Sequence, residues 1–440
     1  MTAVSEIFDH TFTISDARVT SDGFGVGLIA VAHAFWSDRV RAFDQPDDML
    51  ASPYNVPASS ALYKAAVAFM SQSPSPSSGF KVGKLMGPVA QSVELVPATP
   101  TAGMVYSLNV DGQPVSITAD STPTLAEVTA ALTTAISALA DVTAVDTTGV
   151  KVTVNADTAT VRHSIEVTSG NMTVKEVTAL GSPSVATDLA AIEVVDGDWY
   201  FLKLVNAGAA SIKDAAAWCE TQQKIFIADS GDSGIIDGNV SNDVLSDLAT
   251  AGYNRTALMY HHKPDSQQPA AAWGGVMLPK LPGPATFANK GLAGVDVSPL
   301  DATARGVLDA KGGNYYIDIR GLGFTLHGAA VSGRWLDVTV ALDWFDVSLA
   351  ERIVLLLRNN DVVPYTAKGI ELIAGQVEAQ ILEGGRLGII DTDQPYAVTK
   401  PKLADVNPGD KLDRILAGLG YSYVLSGAVH KVKVKGNVQE

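Results

Sequence analysis

A serine and a histidine are the first pair in this sequence that could form a nucleophile and its general base. Ser233 lies in Gly231-Asp232-Ser233-Gly234, which resembles the nucleophile loop of one class of serine hydrolases, and His33 precedes it in the chain. That loop requires a further glycine for its oxyanion hole, but Ile235 occupies the next position. Because Asp, Ser and Gly favour tight turns, we expect a polar surface turn here and not a catalytic site.

Several histidines and aspartates are of the types that bind metal ions. His261 and His262 end a predicted strand, where adjacent side chains point to opposite faces and do not easily share one ion. We expect one of these histidines to be packed and the other to be exposed. Asp229, Asp232 and Asp237 lack the spacing of an EF-hand and its closing glutamate, which predicts a solvated acidic loop. The sequence therefore predicts no metal site and no other cofactor.

A glycine-rich loop, Gly23-Phe24-Gly25-Val26-Gly27, is the next candidate, because such loops can approach a phosphate group closely. It lacks the third glycine of a dinucleotide-binding motif, and it precedes a predicted strand, whereas that motif follows one. No P-loop motif occurs in the sequence. We therefore predict that the chain is not an enzyme. An α/β hydrolase-like enzyme that uses Ser233 and a histidine is kept as an alternative.

The composition limits the possible partners. The chain has 440 residues, 47% of them apolar, and a formal net charge of −16 with a pI near 4.8. Such a charge repels phosphate backbones, so we expect no nucleic acid partner. The single cysteine, Cys219, excludes a disulfide within the chain. Residues 1–12 lack the pattern of a signal peptide and the apolar stretch at 26–35 is too short to cross a bilayer, so neither secretion nor membrane insertion is expected.

The elements that position these residues alternate between strand and helix. Apolar patterns predict strands at 80–85, 199–205, 224–228 and 255–261, and helices at 59–70, 212–222 and 243–249. This alternation predicts a layered α/β core with a largely parallel sheet. Further along, the patterns predict proline-rich loops at 264–284, a strand pair at 315–319 and 324–329, and helices at 349–359 and 367–383.

The composition changes between residues 89 and 182, which are rich in Thr, Val and Ala and almost free of aromatic side chains. Asp111-Gly112 predicts a hairpin between strands at 105–110 and 113–119. Thr124 and Glu127 form a capping-box sequence, which predicts that a helix begins there. Short strands are predicted at 150–155, 160–168 and 172–177. We interpret this segment as a β-rich domain with one helix, inserted into the α/β core and lying on the outside of it.

Both ends of the sequence alternate between apolar and polar residues, as exposed strands do. The residues that carry this pattern are Phe8, Phe12 and Ile14 near the start and Lys431, Val432, Lys433 and Val434 near the end. We predict that the ends are arms that add strands to the sheet of another chain. The predicted division is an N-terminal arm at 1–22, a discontinuous α/β core at 23–88 and 183–340, the inserted domain at 89–182, a C-terminal domain at 341–428 and a C-terminal arm at 429–440.

Passages spread over nearly the whole chain carry a resemblance to one family. They include Asp38-Arg39-Val40-Arg41-Ala42-Phe43, Tyr253-Asn254-Arg255-Thr256-Ala257, Trp335-Leu336-Asp337, Asp343-Trp344, Pro364-Tyr365-Thr366 and Ser426-Gly427-Ala428-Val429-His430. In these passages the chain resembles the contractile tail sheath proteins of tailed bacteriophages, in the subgroup with a β-rich inserted domain. The resemblance implies a layered α/β core with that insertion and with extended strand arms at both ends.

The resemblance also implies a function, partners and a location. The function is that of a structural subunit that assembles around the tail tube and contracts to drive the tube through the host envelope. The implied partners are copies of the chain itself, stacked as hexameric rings, together with the tail tube, baseplate and tail terminator proteins. The implied location is the virion tail, assembled in the host cytoplasm. The sheath of a phage-like bacteriocin or of an injection machine, which works by the same physics, is the alternative.

Two further sets of residues are predicted to serve such a sheath. Gly23, Gly25 and Gly27 follow the first arm and are predicted hinge positions, because glycine changes its backbone conformation at little steric cost. Basic residues near the C-terminus are hypothesised to face an acidic tail tube, since complementary charge sets the register of two surfaces. These residues are Lys400, Lys402, Lys411 and Arg414.

Overall fold

A computed structural model describes residues 22–159, 161–169, 171–280, 283–404 and 406–430. These residues form two compact units. The larger contains residues 25–280 and 287–336, and the smaller contains residues 22–24, 283–286 and 337–430. The predicted mixed α/β class is confirmed. Among the described residues, no helix combines the length and the apolar character that crossing a membrane requires.

The strands, in chain order, are β1 (Gly27–Ala32), β2 (Val40–Phe43), β3 (Phe80–Leu85), β4 (Ser92–Pro97), β5 (Val105–Val110), β6 (Gln113–Thr118), β7 (Val142–Thr147), β8 (Lys151–Ala156), β9 (Ile165–Val167), β10 (Met172–Glu176), β11 (Phe201–Leu204), β12 (Ile225–Ser230), β13 (Thr256–Tyr260), β14 (Asn314–Ile319), β15 (Leu322–Leu326), β16 (Ala397–Thr399) and β17 (Gly420–Ser422). The helices are α1 (Ala61–Met70), α2 (Leu125–Ser137), α3 (Val185–Val195), α4 (Ala209–Glu220), α5 (Val244–Ala251), α6 (Pro264–Gln267), α7 (Pro269–Met277), α8 (Ala302–Lys311), α9 (Leu336–Asn359), α10 (Ala367–Arg386) and α11 (Pro408–Leu412).

The larger unit is built on an eight-stranded sheet with the order β15-β14-β13-β12-β11-β1-β3-β2. Its strands are parallel except at the two edges, where β2 and β15 pair antiparallel with their neighbours. The order reverses at β1, which has β3 on one side and β11 on the other. β11 and β13 are buried along their whole length, as expected for strands covered on both faces. The predicted, largely parallel core is therefore confirmed.

Helices cover both faces of this sheet. Leu202 and Phe226 point to the face where α3, α4 and α5 complete one hydrophobic core. Phe201 points to the other face and stacks on Phe69 of α1, with 6.0 Å between the ring centroids. On this face α1 packs against α7 so closely that a Cβ atom on Gly275 would lie 1.9 Å from the carbonyl oxygen of Phe69. Only glycine allows the two helices to approach in this way.

The inserted segment forms two smaller sheets, with the orders β10-β4-β8-β7 and β6-β5-β9. Together with α2 they enclose a hydrophobic core of their own. The predicted hairpin is confirmed: β5 and β6 are joined by Asp111 and Gly112, whose φ angles of 51° and 81° suit a tight hairpin turn. The predicted capping box is also confirmed, since Thr124 and Glu127 bond to each other's backbone N–H groups where α2 begins.

Two glycines form the neck through which the chain enters and leaves the inserted segment. Gly87 follows β3, and Gly181 precedes α3. A Cβ atom on Gly181 would lie 2.1 Å from the carbonyl oxygen of Gly87, and a Cβ atom on Gly87 would lie 2.2 Å from the carbonyl oxygen of Pro183. The entering and leaving segments therefore touch backbone to backbone, which any larger residue would prevent.

The smaller unit contains α9, α10 and the short pair of strands β16 and β17. Phe345 of α9 packs on Tyr421 and Tyr423, with ring centroids 4.9 Å and 4.7 Å away. One stripe of α10 is buried, as its spacing predicts, and includes Ile370 and Ile381. This aromatic and aliphatic packing gives the unit its own core.

Residues 264–284 differ from the proline-rich loop that the sequence predicts. They contain α6 and α7, and Pro269 begins α7, at a position where proline is well tolerated in a helix. Every residue of α7 is buried, so its sequence has no polar face by which a helical period could be recognised. α9 begins at Leu336 instead of residue 349, and α10 continues through Gly384-Gly385 to Arg386. Sequence periodicity also missed β4, β7, α3 and α8.

Candidate functional site

The candidate site lies at the carboxyl edge of the eight-stranded sheet, beyond the ends of β11, β12 and β13. Ligands of doubly wound α/β proteins bind at this edge, close to the point where the strand order reverses. Here the residues of the inserted segment cover the same edge. They enclose a cavity between Arg162 and Glu176 of the inserted segment and Lys203, Asp229 and Asp265 of the core.

Lys203 and Asp229 form a buried ion pair at this edge. Nζ of Lys203 lies 2.5 Å from Oδ1 of Asp229, and both side chains are buried. Oδ2 of Asp229 accepts a hydrogen bond of 3.1 Å from the N–H of Ala270, in the first turn of α7, where a negative charge is favourable. Each buried charge thus has a partner. Asp229 belongs to the packing of the sheet, so the prediction that it lies in a solvated acidic loop is wrong.

Ser233 bonds to the backbone of the inserted segment. Its Oγ accepts a hydrogen bond from the N–H of Val174 and donates one to the carbonyl oxygen of Val174, each of 2.9 Å. Val174 lies in β10, an edge strand, so the hydroxyl takes the place of a peptide group of a neighbouring strand. Asp232 caps the turn by accepting from the N–H of Gly234 at 2.9 Å, and burial raises the pKa of this carboxyl to about 6. The predicted turn is confirmed, but it contacts the inserted sheet and is not a free surface.

His33 has different surroundings. Its ring centroid lies 4.1 Å from that of Trp36, and its Nδ1 accepts a hydrogen bond from the N–H of Phe35. Burial, together with the nearby charge of Lys84, lowers the pKa of His33 to about 4. Ser233 forms its hydrogen bonds with Val174, and His33 forms one with Phe35 of its own loop. The structure therefore gives no support to a nucleophile and base formed by these two residues.

His261 and His262 also find separate partners. His261 is fully buried, its Nε2 donates to the carbonyl oxygen of Asp296 at 2.8 Å, and its Nδ1 accepts from the N–H of Lys263 at 3.0 Å. His262 is half-buried, and burial lowers its pKa to about 4. Within the described part of the chain, no three His, Cys, Asp or Glu side chains are grouped so as to hold a metal ion.

Arg162 is the residue at this edge that sequence reasoning missed. Its NH2 group donates to Oε2 of Glu176 at 2.9 Å, and its Nε donates to Oδ1 of Asp265 at 3.1 Å. Only 9% of the side chain is exposed. Burial opposes the charged form of Arg162, but the two carboxylates outweigh this effect and raise its pKa. A sequence signal existed, because residues 89–182 contain only Lys151, Arg162 and Lys175 as basic residues.

The three predicted hinge glycines occupy different positions. Gly23 and Gly25 lie in a short 3₁₀ helix, and a Cβ atom on Gly25 would meet only Ser78, at 3.9 Å. Gly27 lies inside β1, where a Cβ atom would lie 2.7 Å from Cζ of Phe69. Close packing is therefore sufficient reason for glycine at residue 27. The hinge role of all three stays a prediction.

The basic residues predicted to face a tube are exposed in the smaller unit. Nζ of Lys400 lies 2.5 Å from Oε2 of Glu371, so this charge already has a partner. Nζ of Lys411 lies 5.9 Å from the centre of the Tyr365 ring. Lys402 is exposed as well.

The surface around Lys411 and Arg414 is both charged and apolar. Asp410 and Asp413 alternate with these two basic residues, so the local positive charge is largely balanced. Leu412, between them, is 84% exposed. The role of these residues against a tube stays a prediction.

The strand-arm residues lie outside the described residues. This applies to Phe8, Phe12 and Ile14 and to Lys431, Val432, Lys433 and Val434.

Two solved structures are similar to this fold over nearly their whole length. A chain in a cryo-EM structure of the anti-feeding prophage (AFP) baseplate matches with a TM-score of 0.51 and 12% sequence identity, covering 100% of both chains. The crystal structure of a sheath tail protein from Desulfitobacterium hafniense matches with a TM-score of 0.50 and 10% identity, covering 95% of this chain and 98% of that one. No protein-family model matches the sequence, and no curated protein matches it.

Proposed function

We propose that this chain is a structural subunit of a contractile tail sheath, which assembles around a tail tube and contracts to drive the tube through a host envelope. The observation that carries the proposal is the similarity of the fold, over nearly the whole of both chains, to a sheath tail protein. The passages that resemble the sheath family are spread over the same length. A structural role also agrees with the carboxyl edge of the sheet, where Ser233 and Asp229 bond to other parts of the chain.

The principal partner in this proposal is the chain itself. Copies stack as hexameric rings around a tail tube protein, between baseplate and tail terminator proteins, in a virion tail that is assembled in the host cytoplasm. The arms at 1–22 and 429–440 join the copies, because an extended segment binds an open sheet edge through backbone hydrogen bonds. The insertion at 89–182 lies outermost. Contraction needs no nucleotide, since an extended lattice can relax to one of lower free energy by rotation of nearly rigid units.

The similarity to the anti-feeding prophage structure supports a second candidate, the sheath of a phage-like injection machine. The two candidates share the same assembly and the same mechanics. They differ in what the tube carries. Both are structural, and neither requires a catalytic residue.

Electron microscopy of the purified, concentrated chain tests the proposal. We expect hollow tubes or rings from the full chain. Deletion of residues 1–16 or of residues 429–440 is expected to leave a soluble monomer, because the strands that join the copies are gone. Size-exclusion chromatography with light scattering checks that the truncated chains stay monomeric and folded.

A matched control tests whether assembly requires the strand pattern of the C-terminal arm or only a segment of the same length. Replacing Val432 and Val434 by isoleucine keeps the alternation and should preserve the tubes, because isoleucine favours strands as valine does. Replacing residues 429–440 by a Gly/Ser segment of equal length should abolish them. Tubes of normal appearance from either truncated chain would show that the deleted arm does not join the copies.

A further inference from the structure

Arg162 joins two parts of the fold that are distant in sequence. Its guanidinium binds Glu176, in β10 of the inserted segment, and Asp265, in α6 of the core. Asp265 follows β13, so this contact lies at the carboxyl edge of the large sheet. The Arg162 side chain is almost completely buried between the two carboxylates.

The backbone that carries Arg162 is itself fixed to the root of the inserted segment. The side chain of Gln91 donates to the carbonyl oxygen of His163 at 3.2 Å and accepts from its N–H at 2.8 Å. Nδ1 of His163 lies 2.7 Å from Oδ2 of Asp111, in the turn between β5 and β6. Arg162 is thus presented to the core by both of the small sheets at once.

Further hydrogen bonds from core residues hold the inserted segment at the same edge. Ser233 makes its two hydrogen bonds to Val174, which lies two residues before Glu176 in β10. Nζ of Lys175 reaches the carbonyl oxygen of Asn242 at 3.3 Å. Val174 and Lys175 of β10 are therefore attached directly to the core, and Glu176 is attached to it through Arg162.

We infer that the Arg162 side chain takes the place of a bound ligand at the carboxyl edge of the large sheet. It occupies the edge where a doubly wound sheet otherwise receives a substrate, and it holds the inserted segment as a rigid extension of the core. The inserted segment is then not a flexibly attached domain. It keeps one orientation relative to the core when the core moves. This inference concerns the single chain, so it holds or fails independently of the proposed sheath function.

Hydrogen exchange of the full chain, followed by mass spectrometry, tests the inference. Arg162→Met keeps the aliphatic bulk but leaves the partly buried carboxylates of Glu176 and Asp265 without their cation, which favours separation of the inserted segment from the core. We expect exchange in β10 to become faster by on the order of 100-fold, while exchange in β12 stays unchanged. Ser233→Ala is a milder variant and should accelerate exchange in β10 by roughly tenfold. Lys213→Ala, which removes an exposed ion pair on α4, is the control and should have no effect.

A double-mutant cycle provides the sharper result. Because Arg162 and Asp265 interact directly, Arg162→Met combined with Asp265→Asn should accelerate exchange by much less than the product of the two separate effects. If the two effects simply multiply, or if neither Arg162→Met nor Ser233→Ala changes exchange in β10, the inference is wrong. Should Arg162→Met fail to fold, Asp265→Asn and Ser233→Ala decide the matter by the same measurement.

Discussion

At the scale of single residues, the side chains that suggest chemistry hold the chain together. Ser233 bonds to a peptide group of β10, and Lys203 pairs with Asp229 beneath the inserted segment. A buried polar group must find a hydrogen-bond partner, and here the partners are backbone groups and side chains of opposite charge. Residue types alone do not distinguish such a structural use from a catalytic one.

Asp232 leads to a prediction about pH. Burial raises the pKa of its carboxyl from 3.8 to about 6, against the opposing hydrogen bond from Gly234. Because the pKa is higher in the folded chain, this carboxyl stabilises the fold most at low pH and loses that contribution as the pH rises through about 6. Asp232→Asn keeps an oxygen for the cap, so we expect the variant to be more stable than the natural chain by about 2 kcal/mol above pH 7.

Urea unfolding between pH 4 and pH 8 measures this difference. The advantage of the asparagine variant should shrink to a small fraction as the pH falls to 4, where the natural carboxyl is protonated in the folded chain and partly protonated in the unfolded chain. A constant difference at every pH would mean that Asp232 acts only as a cap.

The scarcity of basic residues at 89–182 marks Arg162 in the sequence but does not identify its partners. Its partner Asp265 lies 103 residues away along the chain, and neither residue belongs to a recognisable motif. The absence of metal and phosphate motifs could be read from spacing, because those motifs are local. A pairing formed only when two separate parts of the fold meet leaves no local pattern.

At the scale of elements, local signals predicted the structure well where turn or cap residues mark the end of an element. The hairpin of β5 and β6 and the start of α2 follow from four residues, Asp111, Gly112, Thr124 and Glu127. Turn and cap preferences act within a few residues of the chain, so sequence alone reveals them. Within the α/β core, apolar patterns found β3, β11, β12 and β13 and the helices α1, α4 and α5, whose alternation predicts the layered fold.

The capping box of α2 gives a prediction about stability. Oγ1 of Thr124 accepts from the N–H of Glu127 at 3.3 Å, and the carboxylate of Glu127 accepts from the N–H of Thr124 at 2.8 Å. Thr124→Ala removes the first of these bonds and should lower the free energy of unfolding by about 1 kcal/mol. Thr134→Ala, on the exposed side of the same helix, should change it by less than about 0.5 kcal/mol. Equal effects of the two substitutions, in urea unfolding monitored by circular dichroism, would contradict the importance of the cap.

Helices with buried side chains on several faces escaped prediction or were predicted only in part. α7 consists of small and apolar residues, and the first half of α9 carries buried side chains on several faces. A period is visible only when polar and apolar faces alternate, so such helices read as featureless apolar runs. The sequence alone could not show that α7 fits against α1, since that packing depends on a backbone contact at Gly275.

At the scale of the whole molecule, the distribution of charge bears on the tube contact. The chain has a net charge of −16, but Lys411 and Arg414 lie exposed in the smaller unit, beside Leu412. If these residues face an acidic tube, Lys411→Glu combined with Arg414→Glu should reduce the amount of sheath that sediments with tubes by on the order of tenfold at low salt. Lys213→Glu, an equally exposed change in the larger unit, is the control. Undiminished co-sedimentation of the double variant would place the contact elsewhere.

The glycine neck at Gly87 and Gly181 has a consequence for the ancestry of the chain. Since the two backbones already touch there, the segments that follow β3 and precede α3 lie side by side, and removal of the residues between them would require only a short connection. The inserted segment could therefore be lost or exchanged in evolution without a long new connection between β3 and α3.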